Sequence, residues 1–486
     1  MKKIFCFFSV FITLSLLMAP FPAAARNPLG GRPAADFQPS KTDFGKQIKY
    51  QRAFEAVLWS MPAVEIYGFK RAIEKIGGGP NVIIAWSKPA RPNAELVTAN
   101  NITPYVVAMS DLRQGPVVVE IPAATKKALL YGQIIDQWQG VITDIGPVGT
   151  DRGKGGKYLI LPPGYKGKVP EGYFSCPSRS FRIYMAFRPI RRPGATPEDL
   201  QAYTRTMKMY YLDEPRPTRF IDPLELTFPS LARFDERWFQ DLHEIIEVEN
   251  PRPQDAVMAG MLKSLGLTRD QPFTPDQQST QILRQAAGDA WFHLQQQVKL
   301  PDHPGRLYWP DRHWQDILTP DRNGHFTFTD KDFIDLDRRA EFYFLATFAP
   351  SRLYDKPAAL FLYTFVDREG RPLKAGHSYS LTIPAKVPIR NFWSLIVYDA
   401  DTMSFIYSRE NRQGISSFDR KKLKANPDGS ITLYFGPRAP EGKESNWIPT
   451  ADKRPLPVMR FYGPEKPFLD KSWKMPDIVP LNNTFD

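Results

Sequence analysis

Apolar residues along this chain fall into two kinds of pattern: long runs with helical spacing, and short blocks punctuated by glycine and proline. In residues 43–76, Phe54, Val57, Leu58 and Met61 recur at intervals that put them on one helical face, and Gly77-Gly78-Gly79-Pro80 stops the pattern. Pro62 removes a backbone donor, so a break into two helices is expected there. Strand-like blocks follow at 82–86, 105–109, 117–121, 141–145, 158–161 and 181–187. Thr196-Pro197-Glu198-Asp199 then combines a capping hydroxyl, a first-turn proline and an acid three residues on, which opens a helix. Helices are predicted at 197–212, 253–265, 277–299 and 331–348, with an aperiodic ordered loop over 301–324. Strand blocks return at 360–365, 378–383, 391–398, 431–435 and 458–462, and Pro427-Asp428-Gly429 supplies a turn. The pattern therefore predicts a mainly β protein with a helical segment, of the α+β class. Two β-sandwich or jelly-roll-like domains, over 26–195 (with a leading helix) and 349–486, are joined by helices over 196–348.

The first 25 residues change the picture of where this protein works. Lys2 and Lys3, an apolar run from Ile4 to Leu17, and Ala23-Ala24-Ala25 make the three zones of a secretory signal, predicting cleavage after Ala25 and a periplasmic or secreted chain. The run is too short to span a bilayer, so no transmembrane segment is expected after cleavage. Losing Lys2 and Lys3 lowers the formal charge from +12 to +10. The remaining positive charge is dispersed along the chain, which argues against a nucleic-acid partner and is compatible with a small polar or anionic ligand. Losing Cys6 leaves Cys176 alone, which excludes an intramolecular disulfide. Packing must hold the fold, and 33 Phe, 20 Tyr and 10 Trp supply it. Strand-rich sandwiches often associate, so a homo-oligomer is compatible with the pattern.

Three segments concentrate chemistry. Asn100-Asn101-Ile102-Thr103-Pro104-Tyr105 gathers amide, hydroxyl and phenol groups where a loop enters a strand, making Asn101, Thr103 and Tyr105 candidate ligand contacts; short polar side chains also satisfy turns there. Asp151-Arg152-Gly153-Lys154-Gly155-Gly156-Lys157 could hold an anion on backbone N–H groups or form a solvated turn. Arg179 and Arg182, with Arg188 further on, add charge partners, and Trp447 could form an apolar wall. His303 and His313, beside Asp302 and Asp311, are weak candidates for a divalent metal. Phosphate-loop, zinc-protease, nucleophile-elbow and dinucleotide motifs are absent from the sequence.

These residues also carry a resemblance. Asp111 to Val119, Asp136, Trp138 and the run Gly155 to Tyr165 resemble the family of domains of unknown function DUF1254. Asn391-Phe392-Trp393-Ser394, Tyr398-Asp399, Asn426 to Ser430, Asn446 to Pro449 and Arg460 to Pro464 resemble its usual companion, DUF1214. The resemblance implies β-sandwich or jelly-roll domains in exported bacterial proteins and transfers no common activity. Relatives carry Asn-x-Asp-Thr-x-Tyr at the first motif, whereas Asn101-Ile102-Thr103-Pro104-Tyr105 lacks the acid. Three functions stay open at this stage. One is a pocket protein of hydrolase-like type for a polar or anionic small molecule; the others are a non-catalytic envelope protein binding a glycan or protein, and a metal-assisted phosphoric-ester hydrolase.

Overall fold

The computed structural model describes residues 36–300, 305–321, 324–349 and 359–481; the export signal over 1–25 and the metal candidate His303 lie outside these residues. Helix α1, Phe44–Lys75, runs unbroken through Pro62, against the expected break. The surroundings hold it together: the side-chain amides of Gln137 and Gln139 donate to the carbonyls of Ala63 and Pro62 at 2.9 and 3.0 Å. From Ala53 to Ile73 nearly all of its residues are buried, so packing overrides the missing donor.

The strand blocks build two sandwiches. In the first, a six-stranded sheet (Val82–Ala85, Val106–Asp111, Ala128–Asp136, Val141–Ile145, Arg182–Arg191 and Arg219–Ile221) faces a four-stranded one (Val117–Ile121, Gly156–Leu161, Tyr173–Pro177 and Lys208–Tyr211). Their inner faces share Ile83, Val106, Ile134, Ile183 and Phe187 from one sheet with Val117, Val119, Tyr158, Ile160 and Met209 from the other. Such aligned sheets bury alternating residues along each strand. Ala128–Asp136 escaped the sequence pattern because both of its faces are largely covered, which erases the alternation.

The second sandwich repeats the plan. Ala359–Tyr363, Trp393–Asp399 and Pro455–Tyr462 carry its larger sheet, and Tyr379–Ile383 and Ile431–Gly436 the smaller one. Trp393, Leu395, Val397, Met459 and Phe461 pack there against Leu381, Ile383, Leu433 and Phe435.

Helices α2 (Pro197–Thr204), α3 (Arg237–Val248), α4 (Ala256–Lys263), α5 (Gln277–Val298) and α6 (Leu336–Leu345) occupy the connection. The helix expected over 197–212 stops at Thr204, because Lys208–Tyr211 pairs antiparallel with Val117–Ile121 and places Met209 in the first sandwich. Arg219–Ile221 likewise joins Val82–Ala85, so strands of the first sandwich come from beyond residue 195. The free faces of both large sheets close on one further core with α1, α3, α5 and α6, in which Val107, Met109 and Tyr184 share a cluster with Ile396, Tyr398 and Val458. This shared core brings faces of two sheets distant in sequence together along a seam. No helix among the described residues is long and apolar enough to cross a membrane.

Candidate functional site: an arginine–tyrosine seam

Residues 98–101 thread along that seam, and bonds from several elements fix their path. Thr98 adopts a φ of +39°, a region that a β-branched residue seldom occupies. Three contacts hold it: its N–H donates to Met403 O at 2.6 Å, its hydroxyl to Leu345 O at 2.8 Å, and Arg460 Nη2 donates to its carbonyl at 2.7 Å. The Tyr398 phenol donates to the next carbonyl, that of Ala99. Asn100, 1 % exposed, closes a local turn by accepting from the Ile102 N–H at 2.7 Å. Its Nδ2 reaches the Thr103 hydroxyl at 3.4 Å and the Tyr462 phenol at 3.3 Å.

Tyr105 stands opposite Arg188 beside the paired strands Val106–Asp111 and Arg182–Arg191, whose register matches Val106 with Phe187. Arg188 Nη2 donates to the Tyr105 oxygen at 3.2 Å, the Asn100 N–H donates to the same oxygen at 2.8 Å, and the guanidinium lies 4.9 Å from the ring centroid. Two incoming donors occupy that oxygen's acceptor capacity. Burial opposes the charge on Arg188, but the Tyr105, Tyr462 and Tyr398 phenols around it more than offset this, and its pKa is held above the ordinary value.

From the second sandwich comes Arg460, only 4 % exposed, with its guanidinium 5.4 Å from the Phe361 ring centroid and 5.5 Å from that of Tyr398. Among the described residues Arg460 Nη1 is buried without a hydrogen-bond partner, as are Asn101 Oδ1 and the hydroxyl of Ser394, which pairs with Arg460 in the strand register. Buried polar atoms left in this state are uncommon in folded proteins. Neither Arg188 nor Arg460 forms an ion pair among the described residues; both are held by phenols, carbonyls and ring faces.

The structure thus brings Asn101, Thr103 and Tyr105 to one place and adds Arg188, Arg460, Tyr398 and Tyr462 to them. It puts the other candidates elsewhere. Arg182 is at the far end of the strand that carries Arg188, about 20 Å away at ~3.3 Å per residue. There its Nη1 donates to Glu244 O at 2.9 Å, and its guanidinium lies 5.2 Å from the Tyr67 centroid. Arg179 is exposed just before that strand. Trp447 sits on the Trp447–Pro449 edge strand of the second sandwich, its indole donating to Gly436 O at 3.1 Å. His313 donates its backbone N–H to Asp477 at 2.9 Å, and no group of three or more His, Cys, Asp or Glu able to hold a metal occurs among the described residues.

The glycine-rich loop over 151–157 supplies its own anion. The Asp151 carboxylate, 4 % exposed, accepts from the N–H groups of Gly146 at 2.7 Å and Gly155 at 2.9 Å, so one of the loop's own glycine N–H groups is already engaged. Gly155 has a φ of +68°, and a Cβ there would stand 2.5 Å from Ala123 N and Ile121 O. Gly155→Ala is therefore expected to lower stability by more than about 1 kcal/mol in a thermal melt.

Two sequence signals point to the arginines of the seam. Arg460 is a cation inside the otherwise apolar block of strand Pro455–Tyr462, a position that demands an unusual partner. Arg188 is six residues from Arg182, an even separation, so both project toward the same face, the one turned to the shared core.

The fold defined by these elements is that of a double β-sandwich protein with a helical layer, and the comparisons agree with it. Residues 80–212 match the family model described as Protein of unknown function (DUF1254), and residues 358–466 match Protein of unknown function (DUF1214), so the two families occupy the N-terminal and C-terminal parts of the chain. No curated protein matches. The crystal structure of the VPA0106 protein from Vibrio parahaemolyticus is similar at a TM-score of 0.53 and 17% identity, covering 89% of this chain and 100% of that one; the likeness is one of fold. An uncharacterized protein from Burkholderia cenocepacia aligns over 90% of this chain and 94% of its own, at a TM-score of 0.39 and 11% identity.

Proposed function

We propose that this chain is an exported periplasmic protein that binds a small anionic molecule, a carboxylate or a phosphate, at the seam between its two sandwiches. The lysine pair, apolar run and alanine triplet of residues 1–25 support export. The observation that carries the binding assignment is an excess of donors: two arginines with no acid partner and an Arg460 Nη1 with no acceptor among the described residues. Guanidinium groups in a site of reduced dielectric give the short, charge-assisted bonds that carboxylate and phosphate oxygens require. Binding would draw on both sandwiches at once, since Arg188 belongs to the first and Arg460 to the second.

Calorimetric titration of the chain from Arg26 onward with acetate and with inorganic phosphate, at constant ionic strength, tests this. Arg188→Met should lower affinity about 10- to 100-fold, the value of a charged hydrogen bond, and Arg188→Lys should fall between. A folded Arg188→Met protein that binds both anions as tightly as the parent chain would overturn the assignment.

A further inference from the structure

An aromatic path leads from the buried arginines to the surface. Phe361 meets Tyr462 edge-on at 6.2 Å, Phe392 stacks on Tyr462 with centroids 4.1 Å apart and planes 17° from parallel, and Phe392 meets Phe418 at 4.6 Å. The path ends in water: Phe418 is 68 % exposed. Its position is set by the strand pairing of Ser416 with Ser394 and by the Trp393 N–H donating to the Ser417 hydroxyl at 3.3 Å. The turn after Phe418 carries exposed Arg420, Lys421 and Lys422, and exposed Arg390 lies beside Phe392 in the chain.

A small hydrophilic anion needs the arginines but has no use for this path. Phe418 is exposed and the Phe392 and Tyr462 rings behind it are only partly covered, so an apolar group laid along them would remove contiguous aromatic surface from water. The surrounding cations attract a negatively charged molecule toward that end of the seam. Resting on the anion site proposed above, we infer that the ligand is amphiphilic: its anionic group is held by Arg188 and Arg460, and its alkyl or aromatic body lies along Tyr462, Phe392 and Phe418. A free amphiphile and a membrane lipid share this chemistry.

Titrations of the chain from Arg26 onward with inorganic phosphate and with octyl phosphate below its micellar concentration separate the two layers of the argument. Octyl phosphate should bind at least about tenfold more tightly than phosphate, and Phe418→Ala should remove about three- to tenfold of that advantage while leaving phosphate affinity unchanged. Phe418 is exposed, so this variant is expected to fold, and a melting curve checks it. Equal affinity for the two ligands, or an undiminished advantage in Phe418→Ala, would overturn the inference and leave the anion site standing. Failure to bind either would remove both. When the octyl advantage holds, cosedimentation with phosphatidylglycerol vesicles but not phosphatidylcholine vesicles assigns a membrane source, and its absence assigns a free amphiphile.

Discussion

Asp241→Ala should cost about 3–5 kcal/mol of stability, because it leaves two cations without their acid inside the helical layer. Asp241, 2 % exposed on α3, receives Arg233 Nη2 at 2.5 Å and faces Arg71 Nε on α1 at 3.2 Å. Burial pushes its carboxyl above the ordinary range and the two arginines oppose this, so desolvation is the larger effect at this site. The pair is therefore not a large net source of stability, yet halving it is costly, since the guanidinium groups stay where the fold puts them. Asp241→Asn, which keeps shape without charge, should fall between. An exposed pair gives the contrast: Lys466 and Asp470 meet at 2.6 Å, but Lys466 is 86 % exposed, and Lys466→Ala should change stability by less than about 1 kcal/mol. Equal losses for Asp241→Ala and Lys466→Ala in chemical denaturation would refute this account.

Glu65→Gln should stabilise the protein at pH 9 by about 3–5 kcal/mol and change little at pH 4. Glu65 is 4 % exposed in the middle of α1, and burial raises its pKa to about 8, against the opposing effects of Arg71 and the Ala232 N–H. In the unfolded chain the group titrates near 4.5. Between these values the folded state holds a proton that the unfolded state releases. The stabilising contribution is therefore complete below about pH 4.5 and is lost as pH rises through 8. Glutamine keeps a neutral amide in place of the protonated acid, so the variant should lack this loss. Glu249, pushed up to about 7 by burial, acts in the same direction and leaves a shallower slope in the variant. A parent chain and variant with superimposable stability–pH curves between 4 and 9 would show that Glu65 ionises freely in the fold.

How much of this was legible beforehand depended on whether the deciding interactions were local. Val117–Ile121 and Val141–Ile145 have the bounds their apolar blocks predict, and the Thr196 cap predicted the start of α2, because alternation and capping are fixed within a few residues. The same local logic drew attention to Asn101, Thr103 and Tyr105. It also drew attention to the loop over 151–157, where the structure turns Asp151 onto the N–H of Gly155.

What the sequence by itself determined was the two β-rich regions, the helices between them, the resemblance to two domain families and one strip of the seam. Tertiary structure alone decided that α1 passes through Pro62, since the supporting amides belong to Gln137 and Gln139 on another element. It alone decided that Arg182 and Arg188, on one face of one strand, serve different neighbourhoods, one beside Tyr67 and the other beside Tyr105. And it alone joined Arg188 to Arg460 around the phenol of Tyr398. The physical reason is common to all three: a side chain's spacing fixes the face it occupies, but the charge, burial and partners it meets there come from strands and helices far away in the chain.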